Sequence, residues 1–76
     1  MELKEFVLNF ANILEDTEIS EIDSNTNLRE LHEWSSLTAM SIMSMAKLKY
    51  DRIISPTELG NCVTIEDLYK LIVSKK

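Results

Sequence analysis

Hydrophobic residues recur at helical rather than strand spacing along most of the chain. Leu3, Phe6, Val7, Phe10, Ile13 and Leu14 follow an i, i+3, i+4, i+7 pattern, which predicts an amphipathic helix over residues 2–15. Glu2 and Glu5 fall in its first turn, where open N–H groups favour anions. The period then fails. Residues 16–34 are rich in turn and cap formers (Asp16, Thr17, Ser20, Asp23, Ser24, Asn25, Thr26, Asn27), with Ile19, Ile22, Leu28, Leu31 and Trp34 spaced among them. A loop of this length is uncommon in a small domain and is often functional; its spaced apolar residues are expected to lay it over the core. Helical spacing returns from Ser36 to Tyr50, with Ser35 or Ser36 as N-cap and Lys47 and Lys49 in the last turns. Ser55-Pro56-Thr57-Glu58 then opens a short helix with a cap, a proline at the first helical position and a capping box, and Gly60-Asn61 closes it. Thr64 caps a last helix whose core face is Ile65, Leu68, Tyr69, Leu71 and Ile72. No segment alternates cleanly with period two. The pattern predicts an all-α domain: long helix, long loop, long helix, very short helix, medium helix.

The 36–50 helix carries more apolar surface than one buried face requires. At about 100° per residue, Ala39, Ile42, Met43, Ala46 and Tyr50 share a face, the expected core side. Leu37, Met40, Ser41, Ser44 and Leu48 form a second stripe, and no charged residue occurs between Ser36 and Ala46. Either the long loop covers this stripe or the stripe is a docking surface for a partner. Methionines at 40, 43 and 45 suit adaptable contacts.

Composition narrows the function classes. Seventy-six residues, 45% hydrophobic and 28% charged, with one Gly and one Pro, fit a single folded domain over residues 1–76 and not a disordered segment. A chain this short buries only about 60% of its unfolded surface and has little room for a deep substrate cavity, which argues against a self-contained enzyme. The net charge of −5 argues against nucleic-acid partners and anionic membrane surfaces. With one Cys and one His there is no internal disulfide and no Cys/His zinc site. No run approaches the ~18 apolar residues of a membrane span, and the N-terminal stretch does not read as a signal peptide. The expectation is a monomeric cytoplasmic domain in a reducing compartment. The charge is unevenly placed: residues 1–34 hold nine acids and two bases, residues 35–53 one acid and three bases, and residues 54–76 three of each.

Three features together resemble the acyl carrier protein family. Thr26-x-Leu28-Arg29-Glu30-Leu31 leads to Trp34-Ser35-Ser36-Leu37 at the start of a Met/Ile-rich helix; Ile53-Ile54-Ser55-Pro56 enters the short helix; Val63-Thr64-Ile65-Glu66-Asp67-Leu68 begins the last. The resemblance implies a four-helix acyl-carrier-like bundle whose serine before the leucine, Ser36, bears a covalent 4′-phosphopantetheine arm taken from coenzyme A; adjacent Ser35 is the alternative. It implies a carrier rather than an enzyme, holding acyl or aminoacyl intermediates as thioesters in fatty-acid, polyketide-like or specialised lipid or peptide biosynthesis. Its partners would be a phosphopantetheinyl transferase and acyl- or aminoacyl-loading ligases or synthases. The 36–50 helix, through Leu37, Met40, Ser41, Ser44, Lys47 and Leu48, would meet them. The phosphate would lie at the N-terminus of that helix, where the dipole favours anions.

The chain departs from the family pattern in three places. Ser35 replaces the usual Asp, and Glu33 stands where a Gly is common. The second helix lacks the acidic residues of familiar fatty-acid carriers, which resembles peptidyl and specialised carriers and implies a different partner set. The Ser35 substitution motivates an alternative reading, a carrier-like fold without the arm that serves as an interaction module. A DNA-binding helix-turn-helix is disfavoured because the 36–50 helix has only two lysines, both at its far end. The remaining candidates take structural readings. Cys62 is a small core residue, His32 a loop residue and Trp34 an anchor fixing the loop, with arm contact the alternative for Trp34. Glu15, Asp16, Glu18, Glu21 and Asp23 lack the calcium-loop pattern and read as a solvated loop.

Overall fold

The computed structural model describes residues 2–75. Four α-helices carry the architecture: α1 (Leu3–Ala11), α2 (Ser36–Tyr50), α3 (Pro56–Gly60) and α4 (Ile65–Ser74). Among the described residues there is no strand, only an isolated antiparallel bridge between Asn27 and Thr64. The all-α expectation holds.

Helix α1 buries Phe6, Val7, Phe10 and Ala11. It ends four residues earlier than the apolar spacing predicts. Past Ala11 the backbone tightens: the Ile13 amide donates to Phe10 O at 3.1 Å and the Leu14 amide to Ala11 O at 3.0 Å, both i→i+3 bonds. The tightened turn still points Leu14 into the core, so the hydrophobic period outlasts the α-helix.

The long loop is more ordered than its composition predicts. It contains two 3₁₀ turns, Ile19–Glu21 and Leu28–Glu30, the second capped by Asn27 Oδ1, which accepts from the Arg29 amide at 2.9 Å. It is tied to the start of α4: the Leu28 amide donates to Val63 O at 2.8 Å, Ile65 to Thr26 O at 3.2 Å and Glu66 to Ser24 O at 2.9 Å. Loop carbonyls thus satisfy first-turn amides of α4 that its own helix cannot. Ile22 and Leu28 are buried, and Leu31 and Trp34 pack half-buried against the core, as expected of anchors. Ile19 is an exception at 45% exposure.

The core lies between α1, α2 and α4. Phe6 is at its centre, with ring centroids 6.5 Å from Phe10, 5.8 Å from Tyr50 and 5.6 Å from Tyr69. Leu28, Ile42, Ile65, Leu68 and Ile72 are fully buried around it. The Asn9 amide nitrogen donates to the Tyr50 hydroxyl at 2.7 Å, joining α1 to the end of α2. The expected core face of α2 needs one correction. Ile42 and Ala46 are buried, but the third buried residue is Met45, while Ala39, Met43 and Tyr50 are half-buried. Met45 joins the same core cluster as Phe6 and Phe10 of α1, and Asn9 of α1 with Asn12 and Ile13 of the turn after it lies on that side of α2.

Helix α3 begins as the sequence predicts. Ser55 Oγ accepts from the Glu58 amide at 3.1 Å, and Glu58 Oε1 accepts from the Ser55 amide at 2.9 Å. Gly60-Asn61 marks its end, but Asn61 stays right-handed (φ −86°), so no left-handed glycine is used. Among the described residues, a non-glycine positive φ occurs at Asp51 (54°), which closes α2. Lys75 at the end of α4 reaches back to Glu58 Oε2 at 2.6 Å.

Candidate functional site

The start of α2 is built by two adjacent serines with different tasks. Ser35 is the N-cap: its backbone is extended, its Oγ accepts from the Thr38 amide at 3.2 Å, and its carbonyl accepts from the Ala39 amide at 2.9 Å. Its hydroxyl also lies 3.2 Å from Thr38 Oγ1. Ser36 is the first helical residue. It is exposed, and among the described residues no side-chain hydrogen bond engages it. The amides of Ser36 and Leu37 are among the open donors of the first turn.

Glu33 braces this start from outside. Its carboxylate accepts from the amides of Glu15 at 2.7 Å and Asp16 at 2.9 Å, and its carbonyl accepts from the Thr38 hydroxyl at 2.6 Å. The Thr17 side chain and these amides hold the Glu33 carboxyl below the usual carboxylate range. The single residue therefore links the turn after α1 to the first turn of α2. Sequence reading noted Glu33 only as a departure from a glycine; no local pattern signals a clasp between residues 18 and 17 positions apart.

A shallow groove of about 370 Å³ runs from Ser36 between α2 and α3. Ala39, Met43, Pro56 and Leu59 give it an apolar floor, and Trp34 and Arg29 stand at its sides. Trp34 is thus both a loop anchor and a wall of the groove. The Arg29 guanidinium donates to Cys62 O at 2.9 Å and also to Gly60 O, which fastens the loop to the end of α3 and leaves a positive charge beside the groove. Cys62 itself is buried, its thiol donating to Glu58 O at 3.5 Å, and burial pushes that thiol up from its ordinary value. It is a core residue. His32 is exposed. The loop acids serve their own turns: Glu21 accepts from the Glu18 amide at 2.7 Å and Asp23 from the Asn25 amide at 2.8 Å.

The second stripe of α2 is uncovered. Leu37 is 73% exposed, Met40 61% and Leu48 81%. Ser44 is exposed, and Ser41 is half-buried where α2 meets the turn after α1. Lys47 pairs with Asp51 at 3.3 Å across one exposed turn. The long loop does not lie over this face.

A model of the family described as "phosphopantetheine attachment site" matches residues 7–72, most of the chain. No curated protein and no solved structure matches it. The chain belongs to the phosphopantetheine attachment-site family of acyl-carrier-like domains. It is a carrier domain for covalently bound 4′-phosphopantetheine, and domains of this family carry rather than catalyse. The local geometry fits the group: an exposed hydroxyl, open backbone donors for a phosphate, and an adjoining groove with an apolar floor. Among the described residues, no helix is long and apolar enough to cross a membrane.

Proposed function

We propose that Ser36 is the residue that takes the phosphopantetheine arm, in a single carrier domain spanning residues 1–76. The observation that carries this reading is the division of labour between the two serines. Ser35 Oγ is occupied as the helix cap, whereas Ser36 projects into solvent one residue inside the helix. A serine cap accepts the same amide that an aspartate would, so the family's helix start is kept without its charge. The groove between α2 and α3 would receive the proximal part of the arm. Arg29 and the first-turn amides of α2 would face its phosphate. The arm, when attached, supplies a terminal thiol on which an acyl or aminoacyl group is held as a thioester.

Leu37, Met40, Ser41, Ser44, Lys47 and Leu48 would form the surface that meets a phosphopantetheinyl transferase and the ligase or synthase that loads the arm. This reading rests on the exposure of the three large apolar residues and on the absence of acids from 36 to 50. Such a face suits apolar partner surfaces without a basic patch. On this reading the protein would act as a cytoplasmic monomer in specialised lipid, polyketide-like or peptide assembly, with a partner set different from that of central fatty-acid synthesis. Incubation with coenzyme A and a permissive transferase, followed by intact-mass measurement, tests the assignment. The mass rises by one phosphopantetheine group; an unchanged mass contradicts it.

A further inference from the structure

A groove larger than the one beside Ser36 lies elsewhere on the molecule. It holds about 760 Å³ and opens between the N-terminal half of α1 and the 19–24 segment of the loop. It shares no lining residue with the groove beside Ser36. Val7 and Ile22 are buried at its base, and Leu3 is half-buried there. Leu8 and Ile19 form walls that stay 49% and 45% exposed. This exposure accounts for the failure of Ile19 to act as a core anchor. The rim is acidic: Glu2, Glu5 and Asp23 line it against one base, Lys4. Glu18 and Glu21 flank Ile19 in its 3₁₀ turn, and they lie in the segment that holds the chain's whole acidic excess.

Apolar walls within an acidic rim fit one kind of occupant. We propose that this groove is a second docking surface, which takes a basic amphipathic helix of a partner protein. Apolar side chains at i, i+3 and i+4 of that helix would enter between Leu8 and Ile19, while its lysines or arginines meet Glu2, Glu5 and Asp23. The charge on this side is opposite in sign to that of the 35–53 segment, so the two faces select different partners. A partner held here leaves Ser36 and the exposed stripe of α2 accessible, and the carrier can be tethered at one face while serving enzymes at the other.

The test uses the full chain and a fluorescein-labelled peptide of leucine and lysine patterned as an amphipathic helix. Binding is followed by fluorescence anisotropy and by backbone amide shifts. Shifts are expected at residues 2–8 and 19–24 and not in α2, with affinity falling as salt rises. Leu8→Lys weakens binding by about tenfold or more, as does the double change Glu2→Lys with Glu5→Lys. If Leu8→Lys does not fold, as judged by circular dichroism, Ile19→Lys on the opposite wall replaces it. A scrambled peptide of the same composition and a leucine/glutamate peptide should both bind at least about tenfold more weakly. The proposal is overturned if either control binds as well as the patterned peptide, if the shifts fall in α2, or if a dansylated fatty acid fills the groove while the peptide leaves it untouched.

Discussion

The Thr38 hydroxyl donates to the Glu33 carbonyl at 2.6 Å, and this bond sets where α2 begins. It holds the chain three residues before Ser36 against the helix's own first turn. Thr38→Val removes the donor at nearly constant volume. The expected cost is about 1 kcal/mol, the usual worth of one such bond. Chemical denaturation should show the lower midpoint, and the amides of residues 36–39 should lose protection more than those of α4.

The carboxylate of Glu33 adds a pH dependence. Its folded pKa is depressed below the ordinary 4.5, chiefly by the Thr17 side chain and then by the amides it accepts from. A depressed carboxylate stabilises the fold above its unfolded value and loses that effect as pH falls below 4.5 through the folded value. Protection factors at Glu15 and Asp16 should therefore be high at neutral pH and decline in acid below that point. In Glu33→Ala they should be low throughout. Equal protection in the variant at neutral pH would show that the clasp does not hold this turn.

Asp51 occupies the left-handed region at φ 54°, where glycine is free of the Cβ clash. Its pair with Lys47 is exposed on both sides, 57% and 87%, and contributes little. Relief of left-handed strain, less the entropy cost of a glycine, predicts that Asp51→Gly raises stability by up to about 1 kcal/mol, and Asp51→Val should lower it. Thermal melts of the two variants measure the difference in sign.

Helix α2 separates stability from surface along one element. Ile42 is fully buried and Leu48 is 81% exposed, six residues away. A domain of this size has a total stability of roughly 4–11 kcal/mol. Ile42→Ala, at about 2–5 kcal/mol, removes a large share of it. Leu48→Ala should leave the melting temperature within a degree or two, since little area is lost from water. If the transferase reads the exposed stripe, the second variant should slow arm attachment while remaining folded.

Much of this was legible in the chain. The caps at Ser35, Ser55 and Thr64 and the proline at the start of α3 are local chemistry, readable from neighbours in sequence. Those three caps are all present. The second apolar stripe at Leu37, Met40 and Leu48 followed from helical spacing, whereas its being uncovered is a finding of the structure. What escaped depends on contacts between distant segments. Met45 is buried in a core completed by residues of α1 and α4, which the period of α2 does not encode. The end of α1 was misplaced because a 3₁₀ turn keeps Leu14 inward after the α-helix has stopped. The role of Glu33 rests on a bond to Glu15, and no composition rule pairs the two. The left-handed Asp51 carried no glycine to announce it.

The most direct test of the account is the intact mass of three chains, treated in parallel with coenzyme A and a permissive transferase. The unaltered protein and Ser35→Ala should each gain one phosphopantetheine group, the latter despite a cap loss of about 1 kcal/mol. Ser36→Ala should gain none. A gain that survives Ser36→Ala, or one abolished by Ser35→Ala in a folded protein, would contradict Ser36 as the attachment residue.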